Sequence, residues 1–357
     1  MNRPSTFRPH DCWNDARNHH PKNEHNHLQK AGMRSRAREG TCLEALVGMA
    51  IPVCQRAELE CPRTGPGRPP EIPDWVIAVL ILVVVAKRRK SKSAQYRFLQ
   101  AHQRELAGWL GTTRFPSRTT YFDRYKRAFV LFQQAARIQT RQEAQAGHIA
   151  LECVAVDKSL IPTCGTKWSQ RERQARRLPV RADAESAWTY SPHHGWVLGY
   201  GYEVVATAQK RGIVWPVLAS VEPANVSEKR TFADKIDKLP AQTRYVLADK
   251  GYASEDLAAV TDRRRRRRFR RERRQVRRVY MQSPQARRLF SRRSRTVEPF
   301  NEWFKSLFEL HEGVWHRGLA NNRTQILAAL FVYQLLIRFN RRKHRANAKI
   351  RWILDSL

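Results

Sequence analysis

Four residues suited to a buried strand, Tyr245-Val246-Leu247-Ala248, run directly into Asp249, and Lys250-Gly251-Tyr252 then turns the chain. Ligands and metals collect just beyond the carboxyl ends of strands in α/β sheets, so a carboxylate there is well placed to hold a cation. Alone, Asp-Lys-Gly reads as a solvated turn that ends a strand. Two further acids change that reading. The apolar stretch Ile149 to Val156 is a second buried strand and ends at Asp157-Lys158-Ser159. Glu298 opens an amphipathic helix. Three oxygen-donor acids on rigid elements are what a pair of Mg²⁺ (or Mn²⁺) ions needs. The chemistry of such a pair is in-line phosphoryl transfer, with the ions ~3.5–4 Å apart. One lowers the pKa of a water or 3′-hydroxyl nucleophile, and the other stabilises the leaving oxygen.

The elements around these acids have a definite order. Trp196 to Thr207 alternates as a strand, and Gly212 marks the turn into a third strand over 213–221. A loop over 222–227 leads to a helix at 228–239, then to the strand at 244–249 and a helix at 254–261. In the helix at 297–312, Phe300, Trp303, Phe304, Leu307 and Phe308 make a buried stripe. Proline is tolerated only in the first helical turn, so Pro299 implies that Glu298 sits near the helix start. A last helix covers 325–340 and a basic tail covers 343–357. This is the order of a ribonuclease-H-like α/β domain over 149–342, a mixed sheet flanked by helices. In that topology the first strand is central and the fourth lies parallel beside it. Asp157 and Asp249 then come close although 92 residues separate them.

The formal net charge of +35 and a pI near 11.0 suit a polyanion, above all nucleic acid, with an anionic membrane surface as the alternative. The longest apolar run, Trp75 to Ala86, is 12 residues, short of the ~20 that span a bilayer, and reads as a buried helix. Six cysteines form no Cys-x-x-Cys pair, and the first thirty residues hold no secretory signal. A reducing, cytoplasmic, nucleoid-associated setting is expected. Residues 1–40, with six scattered His and Cys, are expected to be a disordered tail, in which Met33 would serve as an alternative start. Residues 41–148 read as a small all-helical DNA-binding region. Asp74 is a candidate N-cap, and Ser117-Arg118-Thr119-Thr120 opens a helix whose Arg118 and Arg124 suit a phosphate backbone. A solvated basic face is the plainer reading. Residues 161–190 are polar and irregular, strongly basic from Arg171 to Arg181. The insert 263–295 holds 17 Arg against the single Glu272, and includes Arg267 and Arg270. Lying between folded segments, it suits a nucleic-acid contact, with a short strand near 275–280.

Five motifs in order carry a family resemblance: Val156-Asp157-Lys158-Ser159, Gly199-Tyr200-Gly201-Tyr202-Glu203, Pro223-Ala224-Asn225-Val226, Leu247 to Tyr252, and Arg295-x-x-Glu298 with Lys305 seven residues on. Over about 150–342 the chain resembles bacterial insertion-sequence transposases of the DDE type, in the groups numbered four and five. The resemblance implies that Asp157, Asp249 and Glu298 ligate metal, and that Arg295 and Lys305 contact phosphates near the cleaved end; Lys250 is a further candidate DNA contact. It implies double-stranded DNA as partner (terminal inverted repeats and target DNA), a homodimer on DNA, and no membrane. The alternatives are a catalytically inactive DNA-binding derivative and another ribonuclease-H-like nuclease. Departures from the family pattern include Pro299, Ser227-Glu228 in place of His-Asp, and the lack of a Tyr three residues before Arg295.

Overall fold

The computed structural model describes residues 25–62, 70–208, 214–249, 252, 284–345 and 349–357. Six helices lead into the sheet. They are α1 (His25–Glu60), α2 (Asp74–Ala86), α3 (Lys92–Ala101), α4 (Gln103–Leu110), α5 (Arg118–Tyr125) and α6 (Phe129–Gln145). Helix α1 begins at His25, inside the stretch read as a tail, whose residues 1–24 lie outside the described residues. Every residue of α2 from Val76 to Ala86 is buried. A helix that is apolar all round must be covered on every side, and α1, α3, α5, α6 and a late helix pack around it. No helix among the described residues is long and apolar enough to cross a membrane.

Asp74 is the first residue of α2, after Pro73 at the cap, and its carboxylate accepts a 2.7 Å hydrogen bond from Arg124 Nε. Arg124 is only 7% exposed. It therefore ties α5 to the start of α2 and is not presented to DNA as expected. Removing one partner of such a pair typically costs about 3–5 kcal/mol, because a buried charge is left alone. Arg118 is exposed and lies over the Phe122 ring, 5.2 Å from its centroid.

Strand β1 (Cys153–Pro162) is central. It pairs antiparallel with β3 (Gly195–Thr207) and parallel with β5 (Tyr245–Leu247). Strand β3 also carries β2 (Ala187–Ser191) and β4 (Pro216–Pro223), both antiparallel. The five-stranded mixed sheet, flanked by helices, is the ribonuclease-H-like arrangement. Strand β2 overlaps the end of the stretch read as irregular; it is five residues long, too short for alternation to show. The short helix α7 (Gln170–Gln174) precedes it, and α8 (Glu228–Ile236) joins β4 to β5.

Helix α9 (Pro284–Leu307) is longer than its apolar stripe suggested. Pro284, at its first position, is the proline that starts it, whereas Pro299 lies inside. Glu298 is thus in the body of a helix, against expectation. Helix α10 (Leu319–Arg342) packs against α1, α2 and α6 on one side and β4 on the other. Its Gln334 Nε2 donates to the Pro216 carbonyl at 2.7 Å, and its Thr324 hydroxyl donates to the Tyr125 carbonyl at 2.7 Å. The leading helices and the sheet therefore share one apolar core across residue 148. The carboxyl-terminal stretch is not merely a basic tail: α11 (Ile350–Ser356) buries Ile350, Ile353 and Leu354. The helix expected at 254–261, the strand near 275–280 and the insert as far as residue 283 lie outside the described residues.

His316 joins the loop before α10 to α5, its Nε2 lying 3.0 Å from the Tyr125 hydroxyl. Burial, reinforced by the Lys92 charge, lowers its pKa to about 3. The unfolded chain takes a proton on this ring near pH 6.5 and the folded one does not, so stability falls as pH drops from about 6.5 towards 3. Thermal unfolding across this range should show a smaller acid loss of Tm for His316→Gln than for the natural chain. Parallel Tm–pH curves would rule out a neutral buried His316.

Candidate active site

The parallel pairing sets the first two acids. Cys153, Val154 and Ala155 face Tyr245, Val246 and Leu247. Two residues further along each chain come Asp157 and Asp249, at the same level and at the carboxyl end of β5. Side chains alternate along a strand, so Asp157 shares a sheet face with its partner Val204 and with Tyr202. Tyr202 stacks on Phe304 of α9 with ring centroids 5.2 Å apart, so this is the face that α9 covers. Asp249 is exposed at the turn, where the Tyr252 backbone N–H donates to the Asp249 carbonyl at 3.0 Å.

Helix α9 brings the third acid. Phe300, Phe304 and Leu307 are buried against the sheet and α10. From the same helix Asn301 Nδ2 donates to Asp157 Oδ2 at 2.9 Å. Arg293 then spans two acids. Its Nη2 donates to Asp157 Oδ1 at 2.9 Å, and its Nη1 donates to Glu298 Oε1 at 2.9 Å. Burial raises the Asp157 pKa; Arg293 and Asn301 oppose the rise, and Glu298 adds to it. Glu298 itself is about half exposed. Pro299 leaves the Arg295 carbonyl without its helical donor one turn earlier.

Among the described residues no three His, Cys, Asp or Glu side chains are gathered closely enough to hold a metal ion. The donor set nevertheless suits one. Two carboxylates already share a single cationic group, the Arg293 guanidinium, and a third leaves β5 at the same level. Hard oxygen donors of this kind take Mg²⁺ or Mn²⁺.

The opposite face of the sheet holds the surrounding loops in place. Lys158 Nζ donates to the Ala224 and Val226 carbonyls at 3.0 and 2.7 Å. Its side chain crosses Gly201, where a Cβ would lie 2.2 Å from Lys158 Cε. Three of the sequence motifs therefore meet in one contact. Glu203 is buried and bonded to Lys235 at 2.5 Å, to Thr231 at 2.7 Å and to the Tyr252 hydroxyl at 3.1 Å. It anchors both α8 and the turn that follows Asp249. Tyr252 is thus a core residue. Glu228, first in α8, has its pKa raised by burial; Lys158 opposes this, while Asp157, Glu203 and Asp249 add to it. It is a fourth acid beside the site. Its signal in the sequence was its place directly after the Pro-Ala-Asn-Val-Ser stretch.

Other expected contacts fare unevenly. Arg295 is exposed on α9. Lys305 is buried and bonded to Glu302 at 2.5 Å, so it is not offered to a phosphate here. Trp303 is not part of the buried stripe: it is 37% exposed and lies under the Arg351 guanidinium. Lys250, Arg267 and Arg270 lie outside the described residues. Arg293 and Asn301 were not singled out in the sequence, because one arginine in an arginine run carries no mark of its own.

Residues 150–335, just over half of the chain, match the family described as the transposase DDE domain. Comparison with curated proteins and with solved structures gives no significant match.

Gly199 and Gly201 permit different approaches. A Cβ at Gly199 would lie 2.1 Å from the Ile161 backbone oxygen, whereas one at Gly201 meets only the flexible Lys158 side chain. Gly199→Ala should therefore cost more stability in denaturant unfolding than Gly201→Ala, which should cost about 1–3 kcal/mol. The Gly201→Ala cost should largely vanish in a Lys158→Ala background; additive costs would show that the two residues are not coupled.

Proposed function

Because the chain belongs to the transposase DDE-domain family, a family of DNA-processing enzymes, we propose that it is an active DNA transposase. In this reading it binds the terminal inverted repeats of its element and carries out Mg²⁺-dependent strand cleavage and transfer into target DNA, as a dimer on the DNA. One observation carries the reading: Asp157 and Glu298, 141 residues apart in the chain, share one guanidinium, beside the strand end that bears Asp249.

Asp157, Asp249 and Glu298 would hold the ions. Bound there, two divalent ions supply an activated water or 3′-hydroxyl and stabilise the departing oxygen. The protein's own residues do the rest. Asn301 and Arg293 fix the orientation of Asp157. Arg295, exposed three residues before Glu298, is available to a phosphate of the cleaved strand. The net charge of +35 draws the duplex over the site and makes binding strongly salt-dependent.

Asp249→Asn should abolish Mg²⁺-dependent nicking of element-end DNA and leave gel-shift binding intact. Nicking by the variant at the natural rate would remove Asp249 from the site. A natural chain that binds ends without nicking would be the inactive derivative, and one that nicks branched DNA regardless of sequence would be another nuclease on this fold.

Arg293 occupies the position that a cation between Asp157 and Glu298 would take. Arg293→Gln should therefore bind Mn²⁺ more tightly, by about tenfold if one charged hydrogen bond no longer competes. Electron paramagnetic resonance titration of free Mn²⁺ reads this without DNA or turnover. Unchanged or weaker binding would mean that the guanidinium and the ion do not share a site.

A further inference from the structure

Between β1 and β2 the chain makes an excursion over 163–186 that none of the acid chemistry uses. It carries Lys167, Arg171, Arg173, Arg176, Arg177 and Arg181, all exposed, against the single acid Glu172 in the stretch 164–181. Among the described residues none of the six is paired with a carboxylate. Arg173 lies over the Trp168 ring, 5.0 Å from its centroid.

This is a built lobe. Trp168 is buried, its indole N–H donates to the Asp183 carbonyl at 2.9 Å, and its own carbonyl accepts from the Trp188 indole at 2.6 Å. Ser169 and Glu172 form a capping box on α7. The Asp183 carboxylate, 2% exposed, accepts from the Tyr200 hydroxyl at 2.7 Å and from the Gly318 backbone at 3.1 Å. The lobe is therefore fastened both to the sheet and to the loop before α10. Arginines on so fixed a base lose little freedom when they meet a ligand.

Its location gives it a partner. The lobe follows the carboxyl end of β1, the end of the sheet at which Asp249 leaves β5. Five residues of extended chain separate Asp157 from Pro162, ~17 Å at the usual rise per residue. Along a duplex axis, where each strand advances 3.4 Å per nucleotide, that is about five nucleotides. We infer that this lobe is a backbone clamp: its exposed arginines grip phosphates of the same duplex about five nucleotides or more from the one at the acids. The inference rests on the DNA reading proposed above.

Arg171→Gln with Arg177→Gln tests it in the full chain, since both side chains are exposed and lie outside the proposed catalytic set. Each lost phosphate contact lowers the slope of log K against log salt by ~0.9, so the double variant should be shallower by about two. Phosphate-ethylation interference about five nucleotides from the nick should disappear, while nicking at low salt persists. A double variant with the natural slope and the natural interference pattern overturns the clamp. A natural chain that binds no DNA at any salt would instead remove the transposase reading itself, and the clamp with it.

Discussion

Everything at the site depends on the parallel pairing of β1 with β5. Only three residues of β5 are hydrogen-bonded to β1, yet that register sets Asp157 and Asp249 level with each other. A slip of one residue would turn Asp157 or Asp249 to the opposite face. The register is held from outside the pair. Glu203 on β3 bonds the Tyr252 hydroxyl, and the Tyr252 backbone closes the turn on Asp249. The buried Lys235–Glu203 pair fixes α8 to the same point. A charged pair of this kind adds little net stability over an apolar one, but breaking it is costly, which favours one arrangement over its neighbours.

The second constraint is helical. Helix α9 must lie across the β1–β3 face for Glu298 to meet Asp157, and its aromatic stripe drives it there through Phe300 and Phe304. Three like charges cannot be brought near one another without compensation. Arg293 compensates two of them and Asn301 satisfies the remaining oxygen of Asp157. The site is thus kept in shape by groups that are themselves part of the chain.

The leading helices are not an appendage. Helix α2 is apolar on all sides and is covered by α1, α3, α5, α6 and α10, and α10 in turn lies on β4. The Arg124–Asp74 pair and the Tyr125–His316 contact tie α5 into the same body. A DNA end held by this region would therefore be held in fixed relation to the acids.

Sequence by itself determined the elements that periodicity and chemistry mark strongly. These are the buried α2 and the strands β1, β3, β4 and β5. Of the three acids, only Asp249 stands at the junction expected of it: β1 runs on past Asp157 to Pro162, and Glu298 lies within α9. Sequence determined the mixed α/β class as well, because the order of strands and helices admits few sheet topologies. It did not reveal β2, which is too short to alternate, or the true start of α9, because Pro299 suggests a beginning where the buried stripe carries the helix through. Nor did it separate Arg124, which binds Asp74, from Arg118, which does not, or Lys305, which is buried, from Arg295, which is exposed. Arginine and lysine look alike in sequence whether they serve the core or the surface. Only tertiary packing decides which carboxylate, if any, lies within 3 Å. For the same reason Arg293, one of 17 arginines in its stretch, became the link between Asp157 and Glu298 only when α9 was laid against the sheet.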